Sequence, residues 1–215
     1  MARGVEDVAQ RAGYSVVLCN SDDEPGKEAR YLDIAERERV SGVIISPSKC
    51  STDISRLLAA RIPVVAIDRP LRQPVDSVLV RLGDGAHAAT AHLLDEGWRR
   101  PACVSGPRRV ETAQQRLAGY RDALAERGLV PGRDVGLVAF DSGPWARFIN
   151  PPLSVVVQPT YEIGRQAGAL LLKRLQPDAV PGGNLSDGLT TVMLSTELIV
   201  RASSRRPVER ATRLG

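Results

Sequence analysis

Aromatic residues are scarce in this chain: two Trp, four Tyr and two Phe make up 4% of 215 residues. Each ring that stands near a polar cluster is therefore informative, and Trp145 is the one that does. Lysine is equally rare, at Lys27, Lys49 and Lys173 only, so the surplus of 29 cations over 25 anions is carried by arginine. Nucleic-acid surfaces gather their cations on one face. Here Arg37, Arg39, Arg56, Arg61, Arg127 and Arg165 alternate with acids along helical stretches, the pattern of solvated helix faces. Three cysteines, Cys19, Cys50 and Cys103, lie far apart with no CxxC spacing, which excludes a disulfide framework. Two of them fall in or beside apolar runs that read as buried strands.

Other absences narrow the function. No stretch approaches the roughly 18 apolar residues of a membrane span, and the N-terminus has no basic region followed by an apolar run, so a cytoplasmic protein is expected. No GxGxxG or GxxxxGK[ST] follows a strand, which argues against a nucleotide cofactor. His87 and His92, the only histidines, stand five apart in one helical stretch and point to different faces, so they cannot form a zinc pair. Neither lies at a strand end beside a nucleophile, and no GxSxG elbow occurs. Catalysis lacks its usual residues, and neither a cofactor nor a metal is expected.

What is present is an alternation of strand and helix. Residues Arg3–Ala12 carry Val5, Val8 and Ala9 on one stripe, and Gly13 stops that helix before the apolar run Ser15–Cys19. A helix over Gly26–Glu38 leads to the continuous run Val43–Ile45. Then follow a helix over Thr52–Arg61, strands over Pro63–Ile67 and Val78–Val80, and a helix over Gly85–Glu96. A strand over Ala102–Ser105, a helix over Thr112–Arg127 and a strand over Val135–Phe140 continue the pattern. Continuous apolar runs suit parallel strands covered on both faces. The fold class is α/β, in which ligands meet the carboxyl ends of strands.

Those ends are polar: Asn20-Ser21-Asp22-Asp23, Ser46-Pro47-Ser48, Asp68-Arg69-Pro70, Ser105-Gly106-Pro107-Arg108 and Asp141-Ser142. Any one of them could be a turn or a helix cap. Their repetition over five strands points to a shared polar site.

The order of several pieces resembles the LacI/GalR family of transcription regulators. They are Gly4-Val5-Glu6 through Ala12-Gly13-Tyr14 to Asn20-Ser21, Arg39-Val40-Ser41-Gly42-Val43-Ile44-Ile45, and Pro63-Val64-Val65 leading to Asp68-Arg69. The run GWRRPACVSG from Gly97, Arg116-Leu117-Ala118-Gly119-Tyr120, FDSGPWARFINPPLSVVVQP from Phe140 and Ser195–Arg201 complete the set. The resemblance implies the two-lobed, type I periplasmic-binding-protein-like fold, each lobe a parallel sheet flanked by helices. Residues 4–80 plus 159–193 would form the first lobe and 84–155 plus 197–203 the second. It further implies a small sugar or polyol effector held between the lobes, homodimerisation, and operator DNA bound only through a helix-turn-helix headpiece that this chain does not carry.

Two departures from the family pattern stand out. The first strand and the headpiece would precede this chain, and a segment of at least one βαβ unit, about 30 residues, is missing near 128–134. The second lobe is therefore expected to be incomplete. Residues 204–215, polar and Arg-rich, read as a disordered tail.

Carried over one position at a time, Asp22, Ser46 and Asp68 resemble effector contacts of the first lobe, and Thr112, Arg116 and Asp141 those of the second. Gln158 falls at an interlobe crossover, where it could touch ligand or hold the hinge. The Trp145 indole could stack on the apolar side of a sugar or anchor its own loop. Two other readings compete: an extracellular sugar-binding protein of an ABC transporter, which shares the fold, and a flavodoxin- or Rossmann-type enzyme, which nothing in the residues supports.

Overall fold

The computed structural model describes residues 1–98, 101, 103, 110–127, 138–141, 144–148, 150–175 and 188–205. The chain divides into two compact units, the first Met1–Val80 with Pro159–Leu194, the second Arg81–Gln158 with Ser195–Gly215. It passes from one to the other at 80/81, 158/159 and 194/195.

The first unit is a four-stranded, wholly parallel sheet covered by helices. Strands β1 (Val43–Ile45), β2 (Val64–Ile67), β3 (Asp76–Val80) and β6 (Thr191–Leu194) lie in that order, with Val43 opposite Val64, Ala66 opposite Ser77 and Val78 opposite Val192. All four residues of β2 are buried, as a central apolar strand between helical layers should be. Helix α6 (Thr160–Leu175) lies against β1, β2 and β3, and α1 (Ala2–Arg11) packs on α6. Glycines let these two helices touch backbone to backbone: a Cβ on Gly164 would strike Met1 O, and one on Gly4 would strike Tyr161 O. Helices α2 (Pro25–Arg37) and α3 (Ser55–Ala59) close a core of Ile45, Ile54, Leu57, Ile62 and Val64.

Strand β3 begins two residues earlier than its apolar pattern predicts, because Asp76 is buried in an ion pair. Arg174 of α6, 98 positions away, donates Nε to Asp76 Oδ2 at 2.7 Å and Nη2 to Oδ1 at 3.0 Å, and Thr190 N adds a third bond at 2.6 Å. That network joins the end of α6 to the entry of β3 and to the residue before β6.

The run Ser15–Cys19 is a correction. It belongs to no sheet, and all five residues are exposed, Val17 by 85% and Leu18 by 76%. Apolar alternation marks a chain able to pair, whereas pairing also needs a neighbouring strand. Among the described residues the outer edge of β1 has none. Cys19 and Cys103 are accordingly exposed thiols, not core residues.

In the second unit β4 (Val138–Phe140), β5 (Ser154–Val157) and β7 (Glu197–Ile199) form a three-stranded sheet, β4 parallel and β7 antiparallel to β5. Helices α4 (Leu82–Asp95) and α5 (Glu111–Ala125) pack together, with Gly119 set against Gly83 O. Ser204, placed in the tail by its sequence, is fully buried. Its hydroxyl meets His92 Nε2 at 2.8 Å and Ser154 Oγ at 2.6 Å, and its carbonyl accepts from Trp98 Nε1 at 2.7 Å. Hydrophobic patterning does not show such a polar anchor. The expected strand Ala102–Ser105, the break near 128–134 and the tail beyond 205 lie outside the described residues.

Candidate functional site

Two strand ends of the first unit carry the polar groups. Asp68 follows β2 at φ 64, and Arg69 N donates back to Ile67 O at 2.6 Å, so Asp68 is the centre of a tight three-residue turn. A turn of this type, with positive φ at a residue that has a Cβ, is rare and strained. The Asp68 amide is held by Val78 O at 3.1 Å. Arg69 then turns inward, its side chain only 16% exposed. Its Nη1 donates to Asp23 Oδ1 at 2.7 Å and to Pro47 O at 3.2 Å, tying the ends of β1 and β2 to the loop before α2. Its Nε lies 3.7 Å from Asp68 Oδ2 and has no hydrogen-bond partner. The hydrogen bond donated to Asp23, aided by the charges of Asp23, Asp68 and Glu28, outweighs burial and holds the guanidinium above its usual range.

The other first-unit candidates differ. Asp22, also at positive φ, is exposed and engaged by Lys27 Nζ at 2.9 Å and Asn20 Nδ2 at 2.8 Å, which depress its carboxyl. Ser46 is exposed at the end of β1.

The second unit repeats the motif. Asp141 follows β4 at φ 68, with its amide donating to Val156 O at 2.9 Å, as Asp68 follows β2 and donates to β3. Gln158 Nε2 donates to Asp141 Oδ1 at 2.8 Å, while Gln158 Oε1 is buried and unpartnered. The Arg116 guanidinium stands 4.7 Å from the centre of the Phe140 ring, and its Nε is also buried without a partner. Phe140 thus fixes the guanidinium plane from one side. Thr112 is buried in the first turn of α5. Trp145 belongs to the 3-10 turn Pro144–Arg147, and its ring lies outside what the structure describes.

Among the described residues, the buried side-chain polar atoms without a hydrogen bond are Arg69 Nε, Arg116 Nε and Gln158 Oε1. Buried polar atoms are nearly always paired in folded proteins, because leaving one unpaired costs about 1–3 kcal/mol. All three belong to residues at or beside the polar strand ends, with an aspartate next to two of them. The first unit thus presents a donor, Arg69 Nε, beside Asp68, and the second an acceptor, Gln158 Oε1, on the residue bound to Asp141, with the Arg116 donor on the guanidinium over Phe140. Sequence reading passed over Arg69 as a contact, although it stands in the Asp68-Arg69 pair. It also passed over Glu28, whose signal was an acid four residues before Leu32, on the apolar stripe of α2. No group of three or more His, Cys, Asp or Glu among the described residues is arranged to hold a metal, and no described helix is long and apolar enough to cross a membrane.

Comparison with known proteins places the fold and the family. A family model described as periplasmic binding proteins and sugar binding domain of LacI family matches residues 1–143, and one described as periplasmic binding protein-like domain matches residues 122–204. The ribose operon repressor of Halalkalibacterium halodurans is 29% identical over 227 residues, covering 82% of this chain and 68% of that protein. As 82% of 215 residues falls well short of 227, the aligned span of that repressor contains positions with no counterpart here. The HTH-type transcriptional repressor PurR of Photobacterium profundum is 24% identical over 230 residues, covering 80% of this chain and 69% of that one. Among solved structures, a putative ribose operon repressor from Burkholderia thailandensis is 27% identical with a TM-score of 0.77, covering 92% of each chain. A putative transcription regulator from Staphylococcus saprophyticus shares the fold at a TM-score of 0.83 and 20% identity, covering 95% of this chain and 92% of that one. Fold, polar strand ends and relatives agree: the chain belongs to the LacI family, as the effector domain of a transcriptional repressor and not an enzyme.

Proposed function

We propose that this domain senses a small neutral sugar, D-ribose being the first to test, and that sugar binding modulates DNA binding by the repressor. The observation that carries the reading is the trio of unpaired buried atoms on Arg69, Arg116 and Gln158. Sugar hydroxyls both donate and accept, so one ring can satisfy guanidinium N–H groups while giving its own protons to Asp68 and Asp141. A planar purine offers few such paired groups.

Relatives support the sugar. A repressor of a ribose operon is among them, and proteins of the same fold are solved with ribose in the regulator of Enterococcus faecium and with D-xylulofuranose in that of Alkaliphilus metalliredigens. Relatives named as repressors favour this reading over a transport protein. As in other repressors with symmetric operators, a homodimer is the expected assembly.

Calorimetric titration of the chain with D-ribose, D-xylulose, cellobiose and a purine base tests the proposal. One ribose per chain is the expected result, weakened on Arg69→Ala and on Asp141→Ala alike. Saturable binding of the purine without any sugar binding would overturn it.

A further inference from the structure

We propose that Glu28 is a positioning residue: it pins the Pro47–Thr52 loop behind Arg69, so that the first-unit strand ends are set before ligand arrives. The proposal rests on the reading of those strand ends as effector contacts.

Glu28 stands in the first turn of α2, where an acid is ordinarily a solvated residue near the helix N-terminus. Here it is 5% exposed. Its carboxylate accepts three bonds, all from one loop: Ser48 N to Oε2 at 2.7 Å, Ser48 Oγ to Oε1 at 3.0 Å and Thr52 Oγ1 to Oε1 at 2.6 Å. No cation is paired with it in a salt bridge among the described residues. Burying a carboxylate is costly unless its oxygens are hydrogen-bonded, and these three donors reach both of them.

The same loop delivers the Pro47 carbonyl that receives Arg69 Nη1 at 3.2 Å, and Ser46 lies directly before it. Glu28 therefore acts on the Asp68-Arg69 corner in two ways. Its hydrogen bonds fix the carbonyl that orients the guanidinium, and its negative charge supports the buried arginine, which feels it. A loop anchored only by its own backbone would leave that arginine to be ordered at the expense of binding.

The test uses three variants of the chain, Glu28→Ala, Glu28→Gln and Thr52→Val, with hydrogen exchange, D-ribose titration and thermal melting. Glu28→Ala is expected to deprotect the Ser48 amide and weaken ribose by about tenfold or more, the size of a lost bond to a charged group. Thr52→Val, which removes one donor and leaves the charge, is the arm that remains if Glu28→Ala fails to fold. It should lower protection and affinity by a smaller factor. Glu28→Gln can keep three bonds by reversing the two hydroxyls, so it should restore Ser48 protection, and its remaining affinity loss reads the charge alone.

An amide at Ser48 that stays protected in both Glu28→Ala and Thr52→Val overturns the anchoring. A deprotected amide with unchanged ribose affinity overturns the link to the effector. If the unaltered chain takes up no ribose, the sugar reading fails, while Ser48 protection still decides whether Glu28 holds the loop.

Discussion

Gln158 donates its carboxamide N–H to Asp141 Oδ1 at 2.8 Å, and this bond settles which end of the amide is left over. A carboxylate accepts and cannot donate, so the amide nitrogen must face it and the oxygen must face away, where it is buried without a partner. One residue thus orients the carboxylate and presents an acceptor at the same time.

Removing the carboxylate should be the more severe change. Asp141→Ala is expected to weaken D-ribose by about 2 kcal/mol or more, roughly thirtyfold, because a ligand hydroxyl and the Gln158 amide both lose their acceptor. Asp141→Asn keeps the shape and tolerates positive φ, so it isolates the charge. Titration calorimetry on the two variants checks this, and an unchanged affinity in Asp141→Ala would remove the residue from the site.

Arg174→Ala should destabilise the first unit by about 3–5 kcal/mol, the range for stripping one partner from a buried ion pair. Asp76 is 2% exposed and would keep only the Thr190 amide. A lowered urea midpoint is the readout, with Asp76→Asn costing less because it removes the charge together with the need for its partner.

Gly119→Ala addresses the second unit. A Cβ there meets Gly83 O and the start of α4. The helix pair must separate, and the gain in helix propensity of about 1 kcal/mol cannot offset that. The expected outcome is a lower melting temperature. An unchanged or raised value would show that α4 and α5 have room to spare.

Glu162 provides a pH test. Two hydrogen bonds from Arg165, at 2.7 and 2.6 Å, with one from Gln166 hold its carboxyl at about 2, below the usual 4.5. A depressed carboxyl stabilises the folded state above pH 4.5 and loses that contribution as pH falls from 4.5 through about 2. Arg165→Met should raise the carboxyl toward its ordinary range by NMR titration, with Gln166 alone left to lower it. The stability difference between parent and variant should be constant above pH 5 or so and vanish across that acid window.

Val17→Lys and Leu18→Lys should leave the melting temperature within the small range of surface changes and improve monodispersity in light scattering. Both side chains are largely in water, and an exposed apolar segment invites association. A large fall in melting temperature would mean that the two residues are covered in solution.

The α/β alternation was legible because helix and strand periods differ, and α1, α2 and α3 lie within three residues of their expected bounds, whereas α6 was not among the expected helices. Ser15–Cys19 shows the limit: its residues specify an extended chain, but a sheet strand is a property of two segments. Asp76 shows another, since a charge at the head of an apolar run reads as a boundary until Arg174, 98 positions on, is known to face it. Within the candidate site, Asp68 and Asp141 stood out in the sequence because each follows a strand, whereas Asp22 follows none. The roles of Arg69 and Glu28 depend on distances across loops, and a linear pattern carries no such distances.

Under the proposed reading of Asp68 and Asp141 as effector contacts, their left-handed backbone also limits how the domain can change its ligand. Asparagine and glycine tolerate that conformation, whereas valine, isoleucine or threonine at either place would pay for a new contact with backbone strain. New specificities, whether drifted or engineered, are expected to arise at neighbouring positions such as Ser46 and Gln158, with the two aspartates kept as fixed points of the recognition code.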